Sequence, residues 1–169
     1  SDSSGWIGPV NFSTLCDTIG ATYSTSFESA LPLDCWVLSS SNNYNWLANT
    51  GASPSLNTGP SSAAIPSDTN DVTYIYAEAS LALAGDSAWL ISPYIDLQGL
   101  SSPQLSFDYH MYGSDMGALY ILVKQGTSWI VLDSLIGEQQ TSNSEAWKRQ
   151  FIDLSAYAGT TVQVGFLAI

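Results

Sequence analysis

The chain has 169 residues, of which 45% are hydrophobic and only 11% charged, so it has the length and composition of one globular domain rather than a disordered segment. Fifteen acidic residues stand against three basic ones, Lys124, Lys148 and Arg149, for a formal net charge of −12. That balance excludes a nucleic-acid binder that works by phosphate neutralisation and a polybasic membrane anchor; it also disfavours anionic polysaccharides unless a divalent cation bridges the charges.

The opening Ser1-Asp2-Ser3-Ser4 reads as a mature or trimmed product, with no signal peptide. No apolar run approaches the length of about 18 residues needed to span a membrane, so no membrane insertion is expected. Asn11-Phe12-Ser13 fits the N-glycosylation pattern, here taken as incidental. Cys16 and Cys35 are the only cysteines. In an acidic, Ser-rich, Lys-poor chain without a CxxC or Cys/His cluster they read as one disulfide, the alternative being two buried thiols. A bridge between them would place the protein in an oxidising compartment, extracellular or at the cell surface, and would tether residues 1–24 as an N-terminal extension.

From Ser39 to Asp71 the chain is rich in Ser, Asn, Thr, Gly, Pro and Asp, and reads as long surface loops with little regular structure. Strand patterns follow. Val72–Ala77 is β-branched and aromatic. Gln104–Met111 alternates, with Leu105, Phe107, Tyr109 and Met111 on one face. Ala118–Val123 is another strand, followed after the turn Lys124–Ser128 by Trp129–Leu132. In Trp147–Leu154 the expected anchors are Trp147, Phe151 and Ile152. Thr161–Ala168 alternates with Val162, Val164 and Phe166 inward. Helical periodicity is nearly missing. Many short strands with Gly, Ser and Asn turns predict an all-β fold, an antiparallel jelly-roll β-sandwich.

The order and spacing of several groups resemble the MAM domain. They are Ser26-Phe27-Glu28, Cys35-Trp36, Asn45-Trp46, Thr58-Gly59-Pro60, Tyr74–Ser80, Ala88–Pro93, Phe107-Asp108-Tyr109-His110-Met111-Tyr112-Gly113, Met116–Leu119, Trp129, Gly137-Glu138-Gln139, Trp147 and Val162–Phe166. The resemblance covers residues 25–169 and is nearer the bacterial secreted versions than the animal receptors. It implies a jelly roll, adhesive or ligand-recognition roles and no catalysis. It also implies a structural cation near the first strand. Carried over, Glu28 is the matched ligand; Gly59-Pro60 is followed here by Ser61-Ser62 rather than by an acid, so Asp68 or Asp71, in an oxygen-rich segment, would complete a structural Ca²⁺ site. The family pattern continues beyond Ala168-Ile169 into a last strand. The expectation is that its place is filled by a strand of a neighbouring chain or domain, rather than by Trp6–Phe12 of the chain itself.

No catalytic constellation emerges, and no enzyme is expected. His110 is the only histidine and sits out of phase with Phe107, Tyr109 and Met111, so it reads as a packed structural residue. Gly113–Gly117 imitates G-x-S-x-G with the serine misplaced. Trp36, Trp46, Trp129 and Trp147 fall on family-matched positions and are expected in the core. Asn43, Tyr44, Trp89 and Tyr112 are the candidate ligand-binding residues: aromatic faces stack on sugar C–H surfaces beside amide donors and acceptors. The expected function is a non-catalytic extracellular recognition or adhesion module with a protein ligand. The alternative is a module binding a neutral glycan, attached to a secreted polysaccharide-degrading enzyme.

Overall fold

The computed structural model describes residues 16–28, 35–40, 44–64, 72–79 and 82–169. Within them, eleven strands run in chain order: β1 (Ile19–Gly20), β2 (Val37–Ser40), β3 (Asn45–Thr50), β4 (Thr73–Glu78), β5 (Ala88–Ile91), β6 (Ile95–Asp96), β7 (Gln104–Tyr109), β8 (Ala118–Gln125), β9 (Ser128–Ile136), β10 (Lys148–Asp153) and β11 (Thr161–Ala168). The only helical element among them is the 3-10 turn Ser155–Tyr157.

The strands make two layers. In the larger, β11 lies between β8 and the broken line formed by β5 and β6; β2 flanks β5, β1 flanks β6, and β9 flanks β8. Ser92 joins the two halves of the broken line: its N–H donates to the Val164 carbonyl and its hydroxyl accepts from the Val164 N–H. The second layer is two separate two-stranded ribbons, β3–β4 and β7–β10, with no ladder between them among the described residues. Every pairing is antiparallel except β1 with β6, which is parallel. The all-β sandwich is therefore as expected, with that one exception to the antiparallel pattern.

The core follows the alternation. Val162, Val164 and Phe166 point inward from β11. Ile121 and Val123 of β8 join Val162, Leu97, Ile152 and Leu154 in the main cluster, closed by Leu105 and Phe107 of β7. Phe107 meets Phe166 edge to face, with ring centroids 5.1 Å apart. Side chains buried this completely each stabilise the fold by about 1.5–3 kcal/mol. The β3–β4 ribbon covers the other half: Trp46 packs on Leu90, Trp36, Ala88 and Ala168, and donates its indole N–H to the Ala88 carbonyl at 3.0 Å.

Three expectations change. The stretch from Ser39 to Asp71 is not all loop, because it contains β3 and the end of β2. Phe151 is not an anchor. It pairs with Ser106 on the outward side of β10 and is exposed, while Ile152 opposite Leu105 is buried. Trp129 and Trp147 are not in the core: Trp129 lies on the outward side of the main sheet, and Trp147 lies on the outward side of the second layer, against Tyr74 and the Ser62 carbonyl. The disulfide is present, linking Cys16 to Cys35 with Cα atoms 5.5 Å apart. It anchors the segment carrying β1, so the N-terminal extension contributes a strand to the main sheet. The segment Trp6–Phe12 lies outside the described residues.

Candidate functional site

An antiparallel sheet with one solvated face normally alternates apolar and polar residues. Here β5 (AWLI), the middle of β8 (LYILV) and β9 (WIVL) are apolar on both faces. Such runs suit strands covered on both sides, but among the described residues the second layer covers only one face of the main sheet. The outward positions follow from the ladders. Gly165 pairs with Ile91 on one side and Leu122 on the other; Leu167 pairs with Trp89 and Tyr120; Trp129 and Val131 stand opposite Lys124 and Leu122. Val37 of β2 pairs with Ile91 and extends the row to the other edge.

The centre of this face is built on Gly165. The Trp89 and Trp129 rings close over it with centroids 5.3 Å apart and planes at 45°. A Cβ at residue 165 would come within 2.8 Å of Trp129 and 3.2 Å of Trp89, so the two indoles approach the backbone as a side chain would not allow. Lys124 holds its ammonium 5.8 Å from the Trp129 ring centroid, in cation–π range. On the same side of the sheet, Val37 is 51% exposed, Val131 55% and, at the far end of β9 opposite Ala118, Ile136 66%. Lys124 is the sole charged residue at the outward positions of β2, β5, β11, β8 and β9. Asp96 of β6, opposite Thr161, is the acidic residue at the far end of the same side, so the part built on β2, β5, β8, β9 and β11 is a nearly uncharged apolar face, aromatic at its centre, on a strongly acidic molecule. A patch of this kind marks an interaction surface.

Of the residues singled out from the sequence, Trp89 is on this face. Tyr44 is buried against Ala88 and Ala168, and that burial pushes its phenol above the usual tyrosine range, so its ring is not presented to solvent. Tyr112 follows β7 in the second layer, where its carbonyl accepts from the Gly59 N–H and the Thr58 hydroxyl. Asn43, Asp68 and Asp71 lie outside the described residues. Glu28 accepts from both the N–H and the hydroxyl of Thr73, at 2.7 and 3.0 Å, pinning the segment before Cys35 to the start of β4. A Ca²⁺ ion wants six to eight oxygens. Among the described residues no three acids or histidines gather to supply them, and Glu28 brings one carboxylate. Reading strand by strand missed the Trp129–Gly165–Trp89 centre; its signal was the two-sided apolar character of β5, β8 and β9.

The chain matches the family described as MAM domain, meprin/A5/mu, over residues 25–169. It is 32% identical over 117 residues to Neuropilin-1a of Danio rerio, covering 69% of this chain and 12% of that protein. It is also 32% identical over 115 residues to MAM domain-containing protein 2 of Homo sapiens, covering 68% and 16%. The chain thus spans a small part of these relatives' length. Among solved structures it resembles the K1 cleaved adhesin domain of Lys-gingipain from Porphyromonas gingivalis W83, with a TM-score of 0.51 and 15% identity over 85% of this chain and 92% of that one; this likeness shows the fold alone. The chain belongs to the MAM domain family, whose members are non-enzymatic, adhesion-type domains of extracellular or surface proteins.

Proposed function

We propose that this chain is an extracellular recognition module that grips a protein partner with the outward face of its main sheet. The observation that carries the reading is the apolar face centred on Trp89 and Trp129, which no second layer covers among the described residues. Protein interfaces concentrate their binding energy in Trp, Tyr and Arg anchors surrounded by residues that exclude water. The exposed Val37 and Val131, in the row of Gly165 on either side of the indole pair, have that composition. Self-association is opposed by the net charge of −12 on each copy, whereas a basic partner is drawn toward it. The Cys16–Cys35 bridge fits an oxidising compartment.

The second reading is a neutral glycan stacked on the same indoles, favoured by the near absence of charge at the face. Beads coated with the domain and offered to a panel of cell types separate the two. Loss of binding after surface proteolysis, and with Val131→Lys, supports a protein partner. Binding that survives proteolysis but is competed by neutral polysaccharides supports the glycan. Binding unchanged in Val131→Lys and Ile136→Lys rejects the face altogether.

The proposal includes one structural Ca²⁺ held by Glu28 with Asp68 or Asp71. It is supported by the fixed position of Glu28 at Thr73, two residues after Asp71 in the chain.

A further inference from the structure

The two ribbons of the second layer share no ladder among the described residues, so something else must join them. On the outward side of that layer, Tyr74 of β4 meets Trp147 edge to face at 5.6 Å, and Trp147 in turn stacks beside His110 at 5.7 Å. Trp147 donates its indole N–H to the Ser62 carbonyl at 3.0 Å, and the Ser61 N–H donates to the Asn143 carbonyl at 2.7 Å. The joint is thus a chain of three rings in edge-to-face and tilted contact, fastened where the loop after β3 meets the loop before β10.

That second loop is fixed from beneath. The Gln140 side chain, completely buried, accepts from the Met111 N–H at 2.7 Å and donates to the Tyr109 carbonyl at 3.1 Å, standing in for a strand partner on either side of His110. Glu145 accepts from both the N–H and the hydroxyl of Thr141 and lies 3.7 Å from Lys148. Lys148 also donates to the Gln139 carbonyl.

Inside this closed arrangement both ring nitrogens of His110 are buried without a hydrogen-bond partner. A neutral imidazole carries one donor and one acceptor, and leaving both unmet is costly; a buried imidazolium without partners costs more. The charged groups facing the ring are Glu145, which favours the cation, and Lys148, which opposes it. The carbonyls of Glu145 and Ser142 also lie close enough to favour the cation, but outside good hydrogen-bond geometry to either ring nitrogen. Asp108 and Arg149, next along on the same side, are paired with each other in a bidentate bridge. Burial is the largest influence and holds His110 below its ordinary value.

We propose that His110 is an acid-sensitive joint: neutral, it lets the loop of residues 137–147 close and hold the two ribbons together; protonated, it opens that loop. The sign follows from linkage. A histidine that titrates lower when closed than when open stabilises the closed form at and above its ordinary value of about 6.5. That contribution is lost as pH falls below this value toward the closed-state value. Each unit of depression makes about a tenfold difference in the closing equilibrium.

His110 is the only histidine, so its imidazole resonance can be followed alone. The expected result is titration below 6.5. Between pH 7.5 and 5.5, with intrinsic exchange rates divided out, hydrogen-exchange protection of amides 141–147 should fall by the factor that the shift predicts. His110→Gln should leave that protection flat across the same range. Titration at or above 6.5, or loop protection independent of pH in the wild type, overturns the proposal; both are read on the unmodified chain, so the test stands if the variant does not fold.

Discussion

Replacing Gly165 by Ala perturbs the centre of the outward face of the main sheet with one methyl group. The strand backbone accepts it, because Gly165 does not use a left-handed φ. The side chains above do not. The new Cβ would stand 2.8 Å from Trp129 Cζ3, 3.0 Å from its Cη2 and 3.2 Å from Trp89 Cζ3. Inserting a methyl group into packed surroundings costs about 1–3 kcal/mol, while exchanging Gly for Ala inside a strand returns about 0.5–1 kcal/mol. The contact lies on an open face, so the indoles can swing outward, and the net loss should be near the lower end, about 1 kcal/mol or less. For a chain of this size that is a fall in Tm of roughly 2–4 °C per kcal/mol. The more direct reading is near-UV circular dichroism, where two indoles in contact give a coupled signal that should shrink as they part. Gly165→Ala with an unchanged Trp signal and an unchanged or higher Tm would refute the close approach of the two indoles over residue 165.

Three further outcomes are expected. Gln140→Leu keeps the bulk but removes the amide, leaving the Met111 N–H and the Tyr109 carbonyl short of a partner; at about 1–3 kcal/mol for each buried group left unpaired, it should lower stability by roughly 2–6 kcal/mol in urea titration, and an unchanged midpoint would show that this amide bridge is dispensable. Replacing Cys16 and Cys35 together by Ser opens a loop with a sequence separation of 19 and should cost about 3 kcal/mol; a smaller loss would mean that β1 and its neighbours hold this segment without the bridge. Melting in Ca²⁺ against melting in chelator should differ by several degrees, since a hundredfold excess over Kd is worth about 2.7 kcal/mol, and Glu28→Gln should narrow the gap; superimposable curves would reject a stabilising Ca²⁺ site.

The strands that alternate were legible in the sequence: β7 and β11 show their inward residues at every second position, and those residues fill the core. β3 was not legible, because Asn45, Asn49 and Thr50 read as loop. It is a strand because Trp46 inserts under Ala88 while its neighbours face water. Phe151 and Ile152 are adjacent apolar residues, and only the register against β7 decides which is buried. Trp129 sits in a run apolar at every position, paired with β8 through a register shift after Ile121, so alternation along β9 cannot assign its face. The outward face of the main sheet escaped for the same physical reason. Its residues look like core residues, and nothing local distinguishes a covered sheet face from a bare one until the number of layers is known. The disulfide was legible from two cysteines in an oxidising composition.

We propose that the outward face of the main sheet is the surface that binds. Hydroxyl-radical footprinting of the domain, alone and bound to the surface of a cell type that retains it, tests this directly. Protection of Trp89, Trp129, Val131 and Ile136 is expected on binding, with Phe151 and Leu47 of the second layer labelled as before. Protection of Phe151 and Leu47 with the indole pair still fully labelled would contradict it.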